Sequence, residues 1–560
     1  MQATYQNPVY DYRASPDQQA EQPVHHPLVI IGAGPVGMAA ALDCARQGLP
    51  VVVLDDNNTV SIGSRAVCYA KRTLEIMDRL GPGQRLVDKG ITWNRGRVFA
   101  GEGAVYDFNL QPEAHHRRPG FINLQQYYFE QFLVEQIQDE ALIDLRWKNR
   151  VTGLSQSEQG VLLDITTPDG LYRLRCDYLL VADGANSGIR TLMGLESKGQ
   201  IFQDRFLIAD VLMQGDYPTE RWFWFNPPFH RGQSTLLHRQ ADNLWRIDFD
   251  LGWDADPEFE KQPEQVIPRV RALLGHDNFE LEWVSVYTFQ CRRMDKFVHG
   301  RVIFIGDAAH QVSPFGARGA NSGIQDADNL IWKLKRVLDG KAPRRLLDSY
   351  QQERSQAADE NILNSTRSTD FISPKNKVSR VFRDQVLALA RDYPFAQGFV
   401  NSGRLSLPSR LLDSALNTPD RDAFGDRQAP GVVATDGPVL TADGELAWLL
   451  NQLGNEFCAL FFADDAEQVP VGALQALQQG DMPIRVLVLL AKGARGTCAG
   501  LPLLQDREGV LFERFDATPG SLYLFRPDQH VCARWRRWDI EDVRRAQARA
   551  CANLEETEHE

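Results

Sequence analysis

Three glycines and an aspartate near the N-terminus have the residue types and spacing that bind phosphate. Gly32, Gly34 and Gly37 form the pattern G-x-G-x-x-G, and Asp55 ends the apolar run that comes next. The first glycine of such a pattern permits a tight turn, the second lets a pyrophosphate approach the backbone, and the third lets a helix pack on a strand. A carboxylate placed like that of Asp55 can accept hydrogen bonds from ribose hydroxyls. The pattern therefore predicts a dinucleotide-binding site.

The surrounding sequence supplies the elements that such a site needs. The apolar run 28–31 precedes the glycines, a helical segment 38–47 ends at Gly48, and a second apolar run covers 51–55. This order of strand, glycine turn, helix and strand is the context in which G-x-G-x-x-G indicates a nucleotide site. The N-terminus of the helix would present unpaired N–H groups and a partial positive charge to the phosphates.

Two more acidic residues follow apolar runs at strand ends. Asp183 follows 178–182, and Asp307 follows 301–306. Taken singly, Asp183 with Gly184 also fits a simple turn, and Asp307 also fits a helix N-cap. Ligands of parallel sheets bind in the crevice beyond the carboxyl ends of the strands. The three acids together therefore predict convergence on one extended ligand.

Composition narrows the class of protein. A net charge of −13 argues against nucleic acid as a partner, because a polyanion would be repelled. No apolar stretch reaches membrane-spanning length, and residues 1–26 lack the apolar core of a signal peptide, so we expect a cytoplasmic location without membrane contact. The eight cysteines show no C-x-x-C pair and no metal-ligand spacing, which indicates reduced, mostly buried thiols and no metal site.

Patterning along the chain predicts an α/β protein of several units. The aromatic and β-branched residues between 206 and 289 favour an antiparallel sheet inserted between pieces of a parallel one. The expected division is 1–26 as a flexible N-terminal extension, 27–205 with 290–370 as the parallel-sheet unit, 206–289 as the antiparallel insert, 371–420 as a helical connector, and 421–560 as a separate C-terminal α/β unit.

The chain resembles the single-component FAD-dependent aromatic hydroxylases. The matching segments are the glycine pattern at 32–37, YLLVADGANSGIR at 178–190, GRVIFIGDAAH at 300–310 and PFGARGANSG at 314–323. The similarity is strong over about residues 26–370. It implies a Rossmann-like FAD-binding domain with a parallel sheet and an inserted antiparallel substrate-binding sheet.

The C-terminal unit, 421–560, looks like the thioredoxin-like appendage of the phenol hydroxylase and 3-(3-hydroxyphenyl)propionate hydroxylase branch. It contains no C-x-x-C, so the resemblance implies a structural or dimer-forming role in place of a redox role. A homodimer is therefore a possible assembly.

The resemblance assigns cofactor contacts to single residues. Asp55 would bind the adenosine ribose, Arg65 would neutralise the pyrophosphate, and Gln126 would bond the ribityl chain. Asp183 would serve the pyrophosphate region and the arriving nicotinamide nucleotide, and Asp307 would accept from a ribityl hydroxyl. The implied FAD-binding set is Gly32, Gly34, Pro35, Val36, Gly37, Asp55, Asp56, Arg65, Gln126, Asp183, Gly306, Asp307, Pro314, Gly319, Ala320 and Asn321.

A long helix, expected at about 322–338, would be opened by the backbone of 319–321. By the resemblance, its N–H groups and dipole would face the N1–C2=O edge of the flavin, which carries negative charge once reduced. Arg318 stands where the family often has a neutral residue. Its charge could strengthen that stabilisation or contact the substrate.

The reaction that the resemblance implies has two halves. NADH or NADPH, binding transiently, reduces tightly bound FAD, and O2 then forms a flavin C4a-hydroperoxide that attacks an electron-rich ring. The expected substrate is a phenolic compound, such as a 3-hydroxyphenyl-alkanoate, a hydroxybenzoate or a simple phenol. The task of the protein is to exclude water and to place the ring.

The candidates for direct catalytic work are His238, Arg246 and Tyr69. His238 could accept the phenol proton or be a satisfied structural histidine. Arg246 or Arg239 could pair with a substrate carboxylate, although surface ion pairs are the common alternative. In related phenol hydroxylases an acid activates the phenol where this chain has Val67. Tyr69 could substitute for that acid or serve only in packing.

Two other functions fit parts of the sequence. A flavin-dependent halogenase shares the dinucleotide fold, and residues 222–227 come within one residue of the W-x-W-x-I-P pattern of that group. Tryptophans in an aromatic-rich sheet also pack without such a role. A non-catalytic binding protein could use the same groove for a partner.

Overall fold

Four sheets carry the fold within the described residues. The computed structural model describes residues 4–215, 218–400, 405–494 and 496–554. Three large sheets follow one another along the chain with interruptions, and a small three-stranded sheet lies beside the first. The expected α/β class, with a parallel sheet, an inserted antiparallel sheet and a C-terminal α/β unit, is confirmed.

The strands in chain order are Val24–Ile31 (β1), Val51–Leu54 (β2), Cys68–Ala70 (β3), Ile91–Trp93 (β4), Arg95–Ala100 (β5), Gly103–Asn109 (β6), Phe121–Asn123 (β7), Ile143–Arg146 (β8), Arg150–Ser157 (β9), Gly160–Thr167 (β10), Gly170–Val181 (β11), Ser197–Leu212 (β12), Arg221–Phe225 (β13), Ser234–Arg239 (β14), Leu244–Gly252 (β15), Glu280–Met294 (β16), Val298–His299 (β17), Val302–Phe304 (β18), His310–Gln311 (β19), Pro438–Thr441 (β20), Leu446–Trp448 (β21), Cys458–Ala463 (β22), Arg485–Leu490 (β23), Leu503–Asp506 (β24), Leu522–Phe525 (β25) and Val531–Trp535 (β26).

The α-helices in chain order are Pro35–Arg46 (α1), Lys71–Leu80 (α2), Gly83–Lys89 (α3), Gln126–Gln138 (α4), Gly188–Leu192 (α5), Pro257–Glu260 (α6), Pro263–Leu274 (α7), Gly319–Leu338 (α8), Leu346–Ile372 (α9), Lys377–Asp392 (α10), Pro394–Gln397 (α11), Leu449–Leu453 (α12), Val471–Leu477 (α13), Val510–Arg514 (α14) and Ile540–Ala550 (α15).

The first sheet has the order β17-β18-β11-β1-β2-β8, with β10 and β9 added beside β11. Its central neighbours β18, β11, β1, β2 and β8 run parallel, so their carboxyl ends meet at one edge. Strands β2 and β18 and the carboxyl ends of β1 and β11 are buried on both faces, which explains their continuous apolar sequences. Helices α1 and α8 pack on this sheet and carry their N-termini towards that edge.

The second sheet has the order β19-β16-β12-β15-β14-β13-β5-β6. All of its pairs are antiparallel except that between β13 and β5. The sheet extends beyond the expected insert, 206–289, at both ends, and it recruits β5 and β6 from far earlier in the chain. The pairing of β5 with β13 covers the outer edge of β13. Sequence patterning within one segment cannot indicate such a long-range pairing.

The third sheet has the order β21-β20-β24-β23-β22-β25-β26 and lies in the C-terminal unit. Its central strands β22 and β23 are parallel, and β25 and β26 complete it in antiparallel fashion. Apolar clusters cover both faces of the sheet. The cluster on one face includes Trp332 of α8, so the C-terminal unit shares a core with a helix of the first sheet.

Residues 4–23 lie docked along the parallel-sheet unit. The structure therefore contradicts the expectation that the N-terminal extension, 1–26, is flexible. The Tyr5 ring stacks on Tyr127 at 4.0 Å, and Tyr10 stacks on Trp147 at 4.9 Å. Strand β1 already begins at Val24. The tyrosines of the segment provide apolar surface that its polar composition concealed.

The expected helical connector, 371–420, needs a similar correction. Helix α9 crosses its first boundary, and α10 and α11 end by Gln397. Residues 405–420 form no helix and run against the third sheet, where Thr418 N–H donates to the Cys532 carbonyl at 2.8 Å. Serine, proline and asparagine in this stretch favour turns over helix.

Two other findings concern the whole chain. Within the described residues, no helix combines the length and the apolar character needed to span a membrane. Each of the eight cysteines is buried and carries a free thiol, as the sequence predicts.

Candidate functional site

A cavity of about 1390 Å³ extends from the carboxyl edge of the first sheet to one face of the second sheet. Gly37, Gly306 and Tyr69 lie behind its lining in packing positions. The predicted site residues that line it are Gly32, Gly34, Pro35, Val36, Asp55, Asp56, Arg65, Gln126, Asp183, His238, Arg246, Asp307, Pro314, Gly319, Ala320 and Asn321.

The glycine turn after β1 is built as the pattern predicts. Gly32 has a φ of +104°, and a Cβ there would lie 2.4 Å from the carbonyl oxygen of Ala182. A Cβ at Gly37 would lie 1.9 Å from the carbonyl oxygen of Gly32, so only glycine allows this approach of helix and turn. A Cβ at Gly34 would meet no described atom within 4 Å. The open space beside Gly34, at the N-terminus of α1, fits a pyrophosphate.

Asp55 lies at the tip of β2 and braces the same turn. Its Oδ2 accepts from the Ala33 N–H at 2.6 Å, and its Oδ1 accepts from the Asn57 N–H at 2.8 Å. Burial raises the pKa of Asp55, although the two N–H donors act in the opposite direction. The carboxylate thus holds the ends of β1 and β2 together while it faces the cavity.

Asp183, at the tip of β11, has an unused carboxylate oxygen. Its Oδ2 accepts from the Ile189 N–H at 3.2 Å, whereas Oδ1 is buried and has no hydrogen-bond partner among the described residues. Burial raises the pKa of this carboxyl group. An orphaned acceptor beside the cavity fits a hydroxyl or amide donor from a bound nucleotide.

Asp307 follows β18 and is supported from behind by a buried ion network. Asp326 of α8 accepts from the Gly306 N–H at 3.0 Å, from His310 Nε2 at 2.6 Å and from Arg354 Nε at 2.6 Å. Burial opposes ionisation of Asp326, but the charges of His310 and Arg354 lower its pKa. This network fixes the loop that carries Asp307, whose side chain is exposed to the cavity.

The N-terminus of α8 points its backbone at the cavity. The side chain of Asn321 donates to the carbonyls of Cys68 and Ala317 and accepts from the Ala70 N–H at 2.8 Å. These bonds fix the first turn of the helix against β3, so that its free N–H groups and positive dipole end face the cavity. Arg318, directly before the helix, is buried and also lines the cavity.

The loop 61–67 closes one side of the cavity and is held in an unusual conformation. Arg65 has a φ of +43°, which is strained for a residue with a side chain. Arg246 donates to the Arg65 carbonyl at 2.7 Å, and Gln126 Oε1 accepts from the Ala66 N–H at 3.1 Å. Gln126 and Arg246 therefore fix this loop from two sides while both line the cavity.

The second sheet provides an apolar wall at the far end of the cavity. Phe315 packs edge to face on Phe206 at 4.8 Å and on Phe289 at 5.5 Å between ring centroids, and Phe206 and Phe289 meet at a tilt at 5.2 Å. Such a wall can exclude water and hold a planar ring. The apolar and aromatic residues that line this end are Phe206, Ile208, Leu236, Tyr287, Phe289 and Phe315.

His238 faces this end from β14. It is 2% exposed, its Nδ1 lies 3.8 Å from Cys68 Sγ, and its Nε2 has no partner among the described residues. Burial, followed by the charges of Arg221 and Arg246, lowers its pKa well below the usual range. The imidazole is therefore neutral near pH 7, with one nitrogen able to accept a proton or a hydrogen bond from a ligand.

The two arginines predicted to bind a substrate carboxylate are engaged elsewhere. Arg246 donates through Nε to Asp248 Oδ1 at 3.0 Å, in addition to its bond with the loop. Arg239 donates to Asn243 at 2.7 Å and lies outside the cavity lining. Successive residues of a strand point to opposite faces, so the inward position of His238 turns Arg239 outward.

Tyr69 takes the packing role. Its ring is fully buried and stacks on Phe129 at 4.3 Å, and burial raises the pKa of its hydroxyl well above the usual range. Val67 does line the cavity, beside Cys68, and supplies only apolar surface there.

Two residues at the apolar end of the cavity, the ring end, were not among the predicted site residues. Cys68 contacts His238 and accepts from Arg221 Nη1 at 3.8 Å, and both Cys68 and Arg221 line the cavity. A signal for Arg221 existed in the alternation of β13, where it shares the buried phase with Phe223 and Phe225. A charged residue in the buried phase of a strand indicates a partner or a ligand.

The tryptophans that resemble a halogenase pattern lie on the opposite face of β13. Trp222 donates to Glu220 at 2.9 Å, and the rings of Trp222 and Trp224 meet edge to face at 5.8 Å beside Phe99. Neither tryptophan lines the cavity. They serve packing of the sheet, which removes the main argument for a halogenase.

Comparison with known proteins agrees with this geometry. Residues 25–365 match a family described as FAD binding domain. A 3-(3-hydroxy-phenyl)propionate/3-hydroxycinnamic acid hydroxylase from Burkholderia cenocepacia is 27% identical over 531 residues, which cover 90% of this chain and 93% of the relative. A 12-dehydrotetracycline 5-monooxygenase/anhydrotetracycline 6-monooxygenase from Streptomyces rimosus subsp. rimosus is 30% identical over 462 residues, which cover 76% of this chain and 88% of the relative.

Solved structures share the whole architecture. The flavin-dependent monooxygenase PieE, in a crystal structure with FAD and substrate, matches with a TM-score of 0.79 and 22% identity, over 95% of this chain and 100% of that protein. At this identity the likeness establishes the fold.

Proposed function

Since the chain belongs to the family of FAD-dependent aromatic hydroxylases, which are flavoprotein monooxygenases, we propose that it hydroxylates a phenolic ring using NAD(P)H and O2. The observation that carries the proposal is the cavity that joins the carboxyl tips of the parallel strands to the apolar wall of the second sheet. A ligand that occupies the strand tips and reaches the wall must be extended, as FAD is. The halogenase alternative is not favoured by the relatives.

We propose that the residues divide along the cavity. Gly34 and the N-terminus of α1 would hold the pyrophosphate, Asp55 the ribose, and Asp307 a ribityl hydroxyl. The N-terminus of α8 would stabilise negative charge at the ring system. FAD, when bound and reduced by NAD(P)H, supplies the oxygen chemistry.

His238 would hold the hydroxyl of the substrate. Its neutral imidazole has a free Nε2 at the apolar end of the cavity, where it can accept the phenolic hydrogen. Accepting that hydrogen enriches the ring in electrons at the carbons ortho and para to the hydroxyl. The phenylalanine wall would exclude water from the reacting carbon.

We further propose that the eight free, buried thiols reflect work in the reducing cytoplasm, where NAD(P)H is available. The C-terminal unit would be structural, because it lacks the paired cysteines that redox work requires. A homodimer through this unit would be seen as a doubled mass in light scattering.

The direct test is the oxidation of NADH and NADPH by FAD-loaded protein with a panel of phenols. We expect at least one phenol to stimulate oxidation and to leave a product with one oxygen atom from O2. The panel contains 3-(3-hydroxyphenyl)propionate, 3-hydroxybenzoate, resorcinol and phenol. The proposal would be overturned if none of the four phenols stimulated NAD(P)H oxidation, or if formation of the product required chloride.

Asp307→Ala serves as the control variant for this test. Because a hydrogen bond to a charged group contributes about 1.5–3 kcal/mol, we expect the FAD dissociation constant to rise by about 10- to 100-fold. The purified variant should contain less FAD than wild type and recover activity when FAD is added, with unchanged circular dichroism. Full flavin occupancy in this variant would remove Asp307 from the cofactor site.

A further inference from the structure

A row of polar side chains crosses three strands on the cavity face of the second sheet. Trp222 pairs with Leu237, which places Arg221 of β13 opposite His238 of β14. His238 in turn pairs with Arg246 of β15. Directly opposed residues of neighbouring strands have Cβ atoms about 5 Å apart, so the three side chains form one continuous surface. All three line the cavity.

The two arginines of this row differ in their counter-ions. Arg246 is paired with Asp248, and Asp210 lies directly opposite it on β12. These two carboxylates raise the pKa of Arg246 against the effect of burial. The charge of Arg246 is therefore balanced within the protein.

Arg221 has no such balance. It is 6% exposed, and among the described residues no carboxylate lies within 4 Å of its guanidinium. Its Nη1 donates a hydrogen bond to Cys68 Sγ at 3.8 Å, and a thiol sulfur is a weak acceptor. Its neighbour on β5 is Gly96, which offers no side chain. A buried, unpaired cation is costly, and the remaining N–H donors of Arg221 are free to form charge-assisted bonds in the cavity.

We propose that Arg221 binds a carboxylate of the aromatic substrate, so that the enzyme acts on phenols that also carry an acid group. The inference rests on the proposed function, and it names the substrate class of the same site. The planar guanidinium matches a carboxylate bidentately, which supplies the missing counter-ion. Arg221 and His238 both contact Cys68 Sγ, so the acid and the hydroxyl of the substrate are held at the same end of the cavity.

The test compares matched pairs of ligands that differ only in the acid. FAD-loaded wild-type protein, Arg221→Met and Arg221→Lys are titrated with 3-(3-hydroxyphenyl)propionate and 3-propylphenol, and with 3-hydroxybenzoate and 3-methylphenol. Dissociation constants come from the visible spectrum of the flavin and from calorimetry. The matched control is Arg239→Met, which removes the neighbouring arginine that points away from the cavity. Arg221→Met keeps the length and apolar stem of the side chain.

We expect wild-type protein to bind the acid of at least one pair about 10- to 100-fold more tightly than its neutral partner. The ratio should fall towards one in Arg221→Met, remain intermediate in Arg221→Lys and be retained in Arg239→Met. A wild-type protein with no preference for the acid in either pair would overturn the inference. So would Arg221→Met that keeps the preference.

Two other outcomes would also overturn the inference, and each would assign Arg221 a different role. Equal weakening of acid and neutral phenol in Arg221→Met would place the phenolic oxygen on Arg221. Loss of FAD in that variant, with normal circular dichroism, would assign the residue to the cofactor. Failure of this inference can be distinguished from failure of the proposed function. Holoenzyme that hydroxylates neutral phenols without preferring acids contradicts the inference about Arg221 and leaves the proposed function intact.

Discussion

His238 is the residue at which the chemistry of the ring end can be tested most directly. We expect His238→Phe to retain FAD but to lower the rate of coupled hydroxylation by about 100-fold or more, a typical contribution of a positioned proton acceptor. The phenylalanine ring keeps the shape of the imidazole and removes its acceptor nitrogen. Product formed per NAD(P)H oxidised measures the coupling.

The control is His238→Gln, whose side-chain oxygen can still accept a hydrogen bond and should recover part of the rate. Because burial lowers the pKa of His238 well below its usual range, its protonation state does not change between about pH 6.5 and 9. In the unfolded chain a histidine binds a proton below about pH 6.5, so this residue makes folding less favourable as the pH falls. His238→Phe should therefore lose less stability than wild type between neutral and acidic pH. Unchanged coupling in His238→Phe would remove the residue from the chemistry.

Sequence reasoning predicted the residues at the strand-tip end of the cavity, but only some of those at the ring end. Gly32, Gly34 and Asp55 belong to one local pattern, so their convergence follows from a single strand–turn–helix unit. Arg221 and Cys68 become neighbours only through the pairing of β13 with β14 and through the packing of β3 against that sheet. Long-range strand register is not encoded in any local spacing, which is why neither residue was assigned a role.

At the scale of elements, the turn between β1 and α1 contains one closely packed glycine, Gly37, and one glycine beside open space, Gly34. We expect Gly37→Ala to destabilise the apoprotein by about 3 kcal/mol, at the upper end of typical overpacking costs, because its Cβ would overlap the Gly32 carbonyl. Gly34→Ala should keep apoprotein stability within about 0.5 kcal/mol, since its Cβ enters open space and its φ of −80° suits alanine.

The two variants are measured by urea unfolding without FAD and by FAD titration. Gly34→Ala should weaken FAD binding without loss of stability, because the new methyl group occupies the space of the pyrophosphate. A Gly34→Ala protein that binds FAD like wild type would show that no phosphate lies beside this turn. A fully stable Gly37→Ala protein would contradict the close packing of α1 on the turn.

The bounds of elements followed from sequence where local signals were strong. The helix expected at about 322–338, opened by the backbone of 319–321, runs from Gly319 to Leu338, and the side chain of Asn321 fixes its first turn against β3. The second sheet departed further from expectation. Strands β5 and β6 carry ordinary alternation, and their membership in that sheet depends on a parallel pairing with β13, more than 100 positions later.

At the scale of the whole molecule, a buried ion network joins the C-terminal unit to the helices behind the cavity. Arg526, in the loop between β25 and β26, donates to Glu353 of α9 at 2.7 Å and to Asp528 at 2.6 Å. Lys333 of α8 donates to the same Glu353 at 2.7 Å. The helix whose N-terminus faces the cavity is thus held along its middle by the C-terminal unit.

The separate C-terminal unit was predictable from the polar stretch before it, but its attachment was not. Arg72 of α2 donates to the Asp528 carbonyl at 2.9 Å and to Gln529 at 3.0 Å, so two helices of the parallel-sheet unit meet one loop. Buried charges of both signs, scattered over positions 72 to 528, carry no local signature. Only the folded arrangement brings them together.

This network yields a prediction for Glu353→Gln. Glu353 is fully buried among Arg526, Lys333, Asn329 and Ser414, and removal of its charge leaves two cations without their shared counter-ion. Breaking a buried ion pair in this way costs about 3–5 kcal/mol. We expect urea unfolding of the variant to show a loss of that size, with earlier cleavage between the third sheet and the rest in limited proteolysis.

The pH dependence distinguishes lost charge from lost packing. Burial opposes ionisation of Glu353, but Arg526 and Lys333 lower its pKa far below the usual range. A carboxyl group with a lowered folded-state pKa adds stability that is present above about pH 4.3 and is lost on acidification. The gap between wild type and Glu353→Gln should therefore narrow as the pH falls below that value, whereas a packing defect would leave the gap constant. Glu360, seven positions further along the same helix, is exposed, and Glu360→Gln should stay within about 0.5 kcal/mol of wild type. A Glu353→Gln protein as stable as that control would show that the network adds no net stability.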